Sequence, residues 1–225
     1  MNIKTPFIWL GSRRTRKHPL HPTAVLLDQA ANAGLPVPNG VILLDELFHL
    51  CVDAGLVAVE NGRIHIDSPQ ELHAALYQDI RLPPFATQVT ILPLVLPQTP
   101  PRETVTDQPE ALSRTLQQAW QAIHQISPET RKDVLLLAAV PARITGTAIL
   151  GEADEVAATP AGQNTKTIRL SHLRRWRRPD ASLPPFAQRL QMLLRGVRRT
   201  FGTAVTRIHW ADDGRICWLL SLHDQ

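Results

Sequence analysis

The feature that most constrains this chain is a corner written into "AANAGLPVPNGVILL", residues 30–44. Upstream of it, Val25, Leu26, Ala30 and Ala33 recur at helical spacing, which predicts a helix over 23–33. Gly34 adopts the left-handed conformation that ends such a helix without a Cβ penalty. Pro36 lacks an N–H and has a fixed φ, so the helix cannot resume. The run "GVILL" at 40–44 is apolar at every position except its glycine, the pattern of a strand buried on both faces. A helix, an enforced stop and a buried strand therefore follow one another with almost no slack.

Downstream, "DELFHLCVDAG" predicts a second helix, with Asp45 as its N-cap and Gly55 as its stop. "NGRIHI" at 61–66 reads as a turn and a small strand. "SPQELHAALYQDI" opens a helix with Ser68 as cap, Pro69 in the first position and Glu71 completing a capping box. A central strand is expected over 88–96, then a Pro/Thr-rich connection at 97–106. The clearest helix spans 107–126, capped by Asp107 and Glu110, with Leu112, Leu116, Ala119, Trp120 and Ile123 on one face. Residues 134–142 and 145–150 read as two strands joined by a turn at Arg143, and 151–166 as a polar loop. Residues 169–185 are irregular and basic. A helix over 186–201 turns Phe186, Leu190, Leu193, Leu194 and Val197 inward and carries Arg189, Arg195, Arg198 and Arg199 outside, until Gly202 stops it. The last stretch is a hairpin, "AVTRIHW" and "RICWLLSL" around "ADDG". Strands and helices mixed in this order predict an α+β fold with mixed or antiparallel sheets flanked by helices, in two lobes, about 1–130 and 131–225.

Several chemistries are excluded by pattern. No apolar run approaches 18 residues, so no membrane span is expected, and the N-terminal residues do not read as a signal peptide. Cys51 and Cys217 stand alone, without a CxxC partner, which favours a reducing, cytoplasmic setting. The nine histidines form no HExxH and no Cys/His cluster, so no metal ligand set is expected. There is no GxSxG elbow, no GxxxxGK[ST] loop and no GxGxxG. Charge, by contrast, is segregated. Residues 163–215 hold twelve Lys and Arg against three Asp and Glu, a net +9, while the remainder carries twelve against seventeen. Within that basic segment, "LRRWRR" sets an indole among Arg174, Arg175, Arg177 and Arg178, an arrangement suited to phosphate contacts with aromatic stacking.

At residues 30–43, "AANAGLPVPNGVIL" resembles the ATP-grasp-type ATP-binding domain of the phosphoenolpyruvate synthase and pyruvate, phosphate dikinase family, whose members read roughly "GGKGANLAELARAGLPVPPGFVI" there. "VPARITGTAI" at 140–149 is similar to the family's "VPAEVSGVAF" strand pair, and "PEALSRTLQQAWQAI" at 109–123 to the helix before it. "FGTAVTRIHWADDGRICWLLSL" at 201–222 resembles "FGGPQDIEWALDDDGRLWLLQARP". The four stretches occur in family order. The resemblance implies a single two-lobed ATP-grasp-like domain, with ATP and Mg²⁺ as the ligands of an intact site and pyruvate/water or pyruvate/phosphate dikinase chemistry as its activity.

The functional positions, however, are replaced. Thr23 stands where the family has the lysine of "GGKG", and Pro22 removes an amide from that loop. Leu92 falls at the phosphate-binding arginine of "VRSS", His209 at the metal-site glutamate of "IEW", and Ser221 and His223 at the terminal glutamine and arginine. Phosphoryl transfer depends on cations and Mg²⁺ around the phosphates, and these replacements remove those terms together. The 225 residues also contain no counterpart of the family's phosphohistidine or phosphoenolpyruvate-binding domains, which a protein partner would have to supply. The leading expectation is a non-catalytic, partner-binding or regulatory pseudoenzyme with no catalytic residue of its own. The alternatives are a nucleotide-binding, kinase-like protein whose replacement phosphate contacts come from the basic run Arg13–Lys17 or from Arg174, Arg175, Arg177 and Arg178, and a nucleic-acid or acidic-surface binder using "LRRWRR" and the arginine-faced helix at 186–201.

Overall fold

A computed structural model describes residues 6–95, 102–151, 153–173 and 176–224. The chain forms two compact units, residues 1–24 with 39–139, and residues 25–38 with 140–225. The fold class is α+β, and each unit contributes one five-stranded sheet in which every pairing is antiparallel. No helix among the described residues is long and apolar enough to cross a membrane.

The first unit contains β1 (Phe7–Trp9) and the first residues of α1 (Pro22–Asn32), then β2 (Gly40–Leu43), α2 (Asp45–Asp53) and the hairpin β3 (Ala58–Glu60) and β4 (Arg63–His65). Helix α3 (Pro69–Ala74) runs on into a π-helical turn at Ala75–Asp79 and is followed by β5 (Gln88–Pro93), β6 (Arg102–Val105), α4 (Pro109–Ile126) and β7 (Val134–Ala138). The sheet order is β1-β2-β7-β5-β6. The apolar face expected of α4 is buried: Leu112, Leu116, Ala119, Trp120 and Ile123 join Val41, Leu43, Val134 and Leu136 of the sheet in one core. Trp120 meets Phe48 edge-on at 5.3 Å. Large apolar side chains buried this completely each contribute roughly 1.5–3 kcal/mol.

Two expected helix caps are corrected. Asp45 is the first helical residue of α2 and not its N-cap, a place taken by Leu44. Its carboxylate is engaged at long range, accepting from the Lys132 N–H at 2.7 Å, while its own N–H donates to Asp133 Oδ1 at 2.8 Å. This reciprocal pair pins the start of α2 to the entry of β7 and competes successfully with local capping. Helix α4 begins at Pro109 behind Gln108, with no side-chain cap from Asp107 or Glu110. Ser68 does cap α3, accepting from the Glu71 N–H at 3.4 Å. The Pro/Thr-rich connection was expected to be loop; residues 96–101 lie outside the described residues, and the rest forms β6, paired to β5.

The second unit takes the remainder of α1, ended by Gly34 at φ +75°, as the sequence requires. It continues with β8 (Ile144–Ile149), β9 (Asp154–Pro160), β10 (Lys166–Leu170), α5 (Pro185–Phe201), β11 (Val205–Asp212) and β12 (Cys217–Asp224). The sheet order is β10-β9-β8-β11-β12. Residues 151–166, expected as loop, instead supply β9 and the start of β10, because Asp154, Val156 and Ala158 alternate inward beneath a polar outer face. The strands expected as a pair around Arg143 fall in different sheets, β7 in one and β8 in the other. The final hairpin is as expected.

Helix α5 lies on its sheet through Leu190, Leu193, Leu194 and Val197, and Phe186 stacks on Trp210 at 6.1 Å between ring centroids. Two buried carboxylates fix it further. Asp212, 1% exposed, accepts both Arg189 Nε and Nη2 at 2.7 Å, and Asp154, also 1% exposed, pairs with Arg198. The "GLPVP" segment docks on the same helix and sheet. Leu35 packs where a Cβ on Gly196 would approach its Cδ2 to 2.6 Å, and the Leu219 N–H donates to the Pro36 carbonyl at 2.8 Å. Asp212→Ala removes both bonds from the partly exposed Arg189, so it is expected to lower the stability of this unit by about 2 kcal/mol, measured by guanidinium unfolding monitored through tryptophan fluorescence. An unchanged midpoint would contradict this account of how α5 is held.

Candidate functional site

The residues that the resemblance sets at a phosphate loop come at the start of α1. Pro22 has no N–H to offer. The Thr23 N–H donates to His21 Nδ1 at 3.3 Å, and the Ala24 N–H donates to the His21 carbonyl at 3.0 Å. Thr23 itself is 7% exposed. Backbone amides that would cradle a phosphate are therefore missing or already bonded, and no cation stands at Thr23. Leu92 lies in β5, half-buried and paired in register with Leu135 of β7. Its side chain supplies neither charge nor hydrogen bond.

The other three residues singled out by the resemblance come together in the second unit. His209 of β11 sits opposite Ser221 of β12, and Arg207 opposite His223. Side chains on neighbouring antiparallel strands in such registers share one sheet face. Ser221 Oγ and His223 Nε2 are 3.1 Å apart, and the His209 and His223 rings meet edge-on at 5.3 Å. Trp210, the next residue, points to the opposite face and packs on Phe186 of α5. Burial, reinforced by His223 and Arg207 nearby, holds the His209 imidazolium below the ordinary histidine range, so the ring is neutral at pH 7. The cluster offers a neutral ring, a hydroxyl and a second imidazole where the resemblance calls for a carboxylate, an amide and a guanidinium.

These five residues do not fit a magnesium nucleotide. A phosphate chain needs cations or free amides, and Mg²⁺ prefers anionic oxygen. Among the described residues, no group of three or more His, Cys, Asp or Glu is placed to hold a metal ion. Cysteine chemistry is equally unsupported, since burial pushes the Cys51 thiol up to about 11 and raises that of Cys217 as well.

The arginine candidates lie elsewhere. Arg174 and Arg175 fall outside the described residues. Arg177 and Arg178 are exposed, and the Arg177 carbonyl accepts from Arg195 Nη1 of α5 at 3.2 Å. That bond sets the Arg177 backbone against α5. Neither Arg177 nor Arg178 lines the groove beside it, a cavity of about 910 Å³ that the sequence did not reveal, formed by the "GLP" corner, α5, Trp176 and residues 215–217.

No protein-family model matches the chain, and no curated protein matches it. Among solved structures it is similar to D-alanine–D-alanine ligase from Bacillus anthracis, at 10% identity and a TM-score of 0.47, over 90% of this chain and 55% of that one. It is also similar to a RimK domain ATP-grasp protein from Sphaerobacter thermophilus, at 15% identity and a TM-score of 0.42, over 89% and 57%. A third is the ATP-grasp ligase PsnB, solved with the precursor peptide PsnA2 and AMPPNP, at 11% identity and a TM-score of 0.44, over 95% and 52%. The chain thus spans about half the length of the structures it is similar to. At these scores the likenesses assign no activity and no ligand to it.

The depressed His209 has a measurable consequence. Its folded-state affinity for a proton is lower than in the unfolded chain, so its contribution to stability is whole above the ordinary histidine pKa of 6.5 and is lost as pH falls. Lowering the pH from about 7.5 to about 5 is expected to reduce the melting temperature more in the wild type than in His209→Gln. Equal losses in the two proteins would show that the ring titrates normally.

Proposed function

We propose that the chain is an ATP-grasp-type domain, of the kind found in phosphoenolpyruvate synthase and pyruvate, phosphate dikinase, that no longer handles nucleotide phosphate and acts by binding a protein partner. The proposal draws on four stretches that resemble the family in family order, and on an α+β chain with one antiparallel sheet in each unit. The observation that carries it is the closed start of α1. Where the family would present glycine amides and a lysine, Pro22 has no amide, and those of Thr23 and Ala24 are bonded to His21. The neutral His209 at the position of a metal-binding carboxylate points the same way. With both phosphate and metal terms missing, the enzymatic rate enhancement that phosphoryl transfer draws from charge stabilisation has no source in these residues. The partner is a protein that would otherwise work with such a domain, one bearing the phosphohistidine or the phosphoenolpyruvate-binding function.

Calorimetric titration with ATP and with AMP, with and without Mg²⁺, is expected to show no binding heat. Micromolar affinity accompanied by phosphate release would overturn the reading and restore the kinase-like one.

A further inference from the structure

The groove beside α5 calls for its own explanation, and it rests on the second unit alone, independent of the preceding proposal. Helix α5 carries four arginines and no acidic residue. It therefore lacks the i,i+4 Glu–Arg partners that make a charged helix face a self-neutralised, solvated surface. Two of the four are consumed inside the fold, Arg189 by Asp212 and Arg198 by Asp154. The outward face, at spacings of three and four residues, is Met192, Arg195 and Arg199. Arg199, and Arg215 across the groove, make no ion pair or hydrogen bond through their guanidinium groups among the described residues. Two uncompensated guanidinium groups thus face one concavity within a segment of net charge +9.

The groove also presents apolar surface to water. Trp176 on its wall is 87% exposed, Met192 is 50% exposed and Ile216 is 41% exposed. An exposed indole beside the polarisable Met192 offers a flat face suited to a planar, aromatic group. The bond from Arg195 to the Arg177 carbonyl ties the backbone next to Trp176 to the helix.

We infer that this groove binds single-stranded nucleic acid, with Trp176 stacking on a base and Arg199 and Arg215 meeting the phosphates. Alternating aromatic and guanidinium contacts are the chemistry that grips a strand without reading its sequence. An acidic peptide fits less well. Strand addition, the usual way a sheet captures an extended peptide, is opposed at one position beside the groove, where the Leu219 N–H of β12 is already taken by the Pro36 carbonyl.

The test is fluorescence anisotropy with fluorescein-labelled 20-mers of oligo(dT) and oligo(U) at about 50 mM and about 200 mM salt. Binding of either probe is expected at low salt and should weaken as salt rises; the tighter probe identifies the sugar. Arg199→Ala with Arg215→Ala should remove two phosphate contacts and so flatten the log–log salt slope by about 1.4. Trp176→Ala should weaken binding roughly 5- to 100-fold while leaving that slope unchanged, as loss of a stacking contact does. Arg63→Ala, an exposed arginine on β4 of the other unit, should change neither. The inference is overturned if no probe binds at the lower salt, or if Trp176→Ala binds as tightly as wild type. It is also overturned if poly-glutamate displaces the probe as readily as unlabelled oligonucleotide does, which would make the groove an acidic-peptide site.

Discussion

Asp154 and Asp212 are each 1% exposed, and each is met by one arginine of the same helix. Burying a carboxylate is costly unless its lone pairs are filled by charge and hydrogen bonds. Asp212 accepts a two-pronged guanidinium from Arg189 and also the Gly214 N–H, so the turn of the last hairpin is tied to the same atom set that holds α5. The two aspartates stand on β9 and β11, to either side of β8. Helix α5 is thereby fixed in rotation as well as position. The rotation has a further effect: once Arg189 and Arg198 turn inward to these carboxylates, Arg195 and Arg199 must turn outward. The cationic groove is the other side of a structural requirement.

The "GLPVP" corner depends on that placement. Leu35 packs where a Cβ on residue 196 would push its side-chain tip aside, and the Pro36 carbonyl accepts from the Leu219 N–H of β12. The corner was fully legible in the sequence as a helix stop, since Gly34 and Pro36 act through local backbone sterics. Its docking partners were not legible, because they come from residues about 160 and 180 positions away and leave no periodic signal.

The same division runs through the rest of the chain. Helices α4 and α5 were readable because their apolar residues keep the helical period and are buried as a face. Strands β9 and β10 were hidden because strand-disfavouring residues, Asp154, Glu155, Ala157, Ala158 and Lys166 among them, dilute their β-branched residues. Asp45 was misread as a cap because an acidic residue before an apolar run is also what a long-range backbone partner looks like. For the site, resemblance located Thr23, Leu92, His209, Ser221 and His223, but only the register of β11 on β12 placed the last three on one face. The groove drew on four separate segments and had no sequence signature beyond the arginines and Trp176.

On the proposed reading, the replaced positions also show why the frame survives without its chemistry. A functional cluster of lysine, arginine and carboxylate holds unpaired charge until a ligand arrives, and that arrangement is bought with stability. Here the same backbone positions carry groups that satisfy one another. His21 takes the amide of Thr23, Ser221 bonds His223, and His209 stays neutral against its neighbours. Leu92 adds an apolar pair with Leu135 on the adjoining strand. Thr23 and Leu92 leave no charge at their positions in the ligand-free state. The apolar cores that define the two units do not depend on those charges, so nothing in the packing opposes their loss. A scaffold released from catalysis in this way can keep its fold unchanged while its exposed faces, the arginine side of α5 first among them, become free to take on another role.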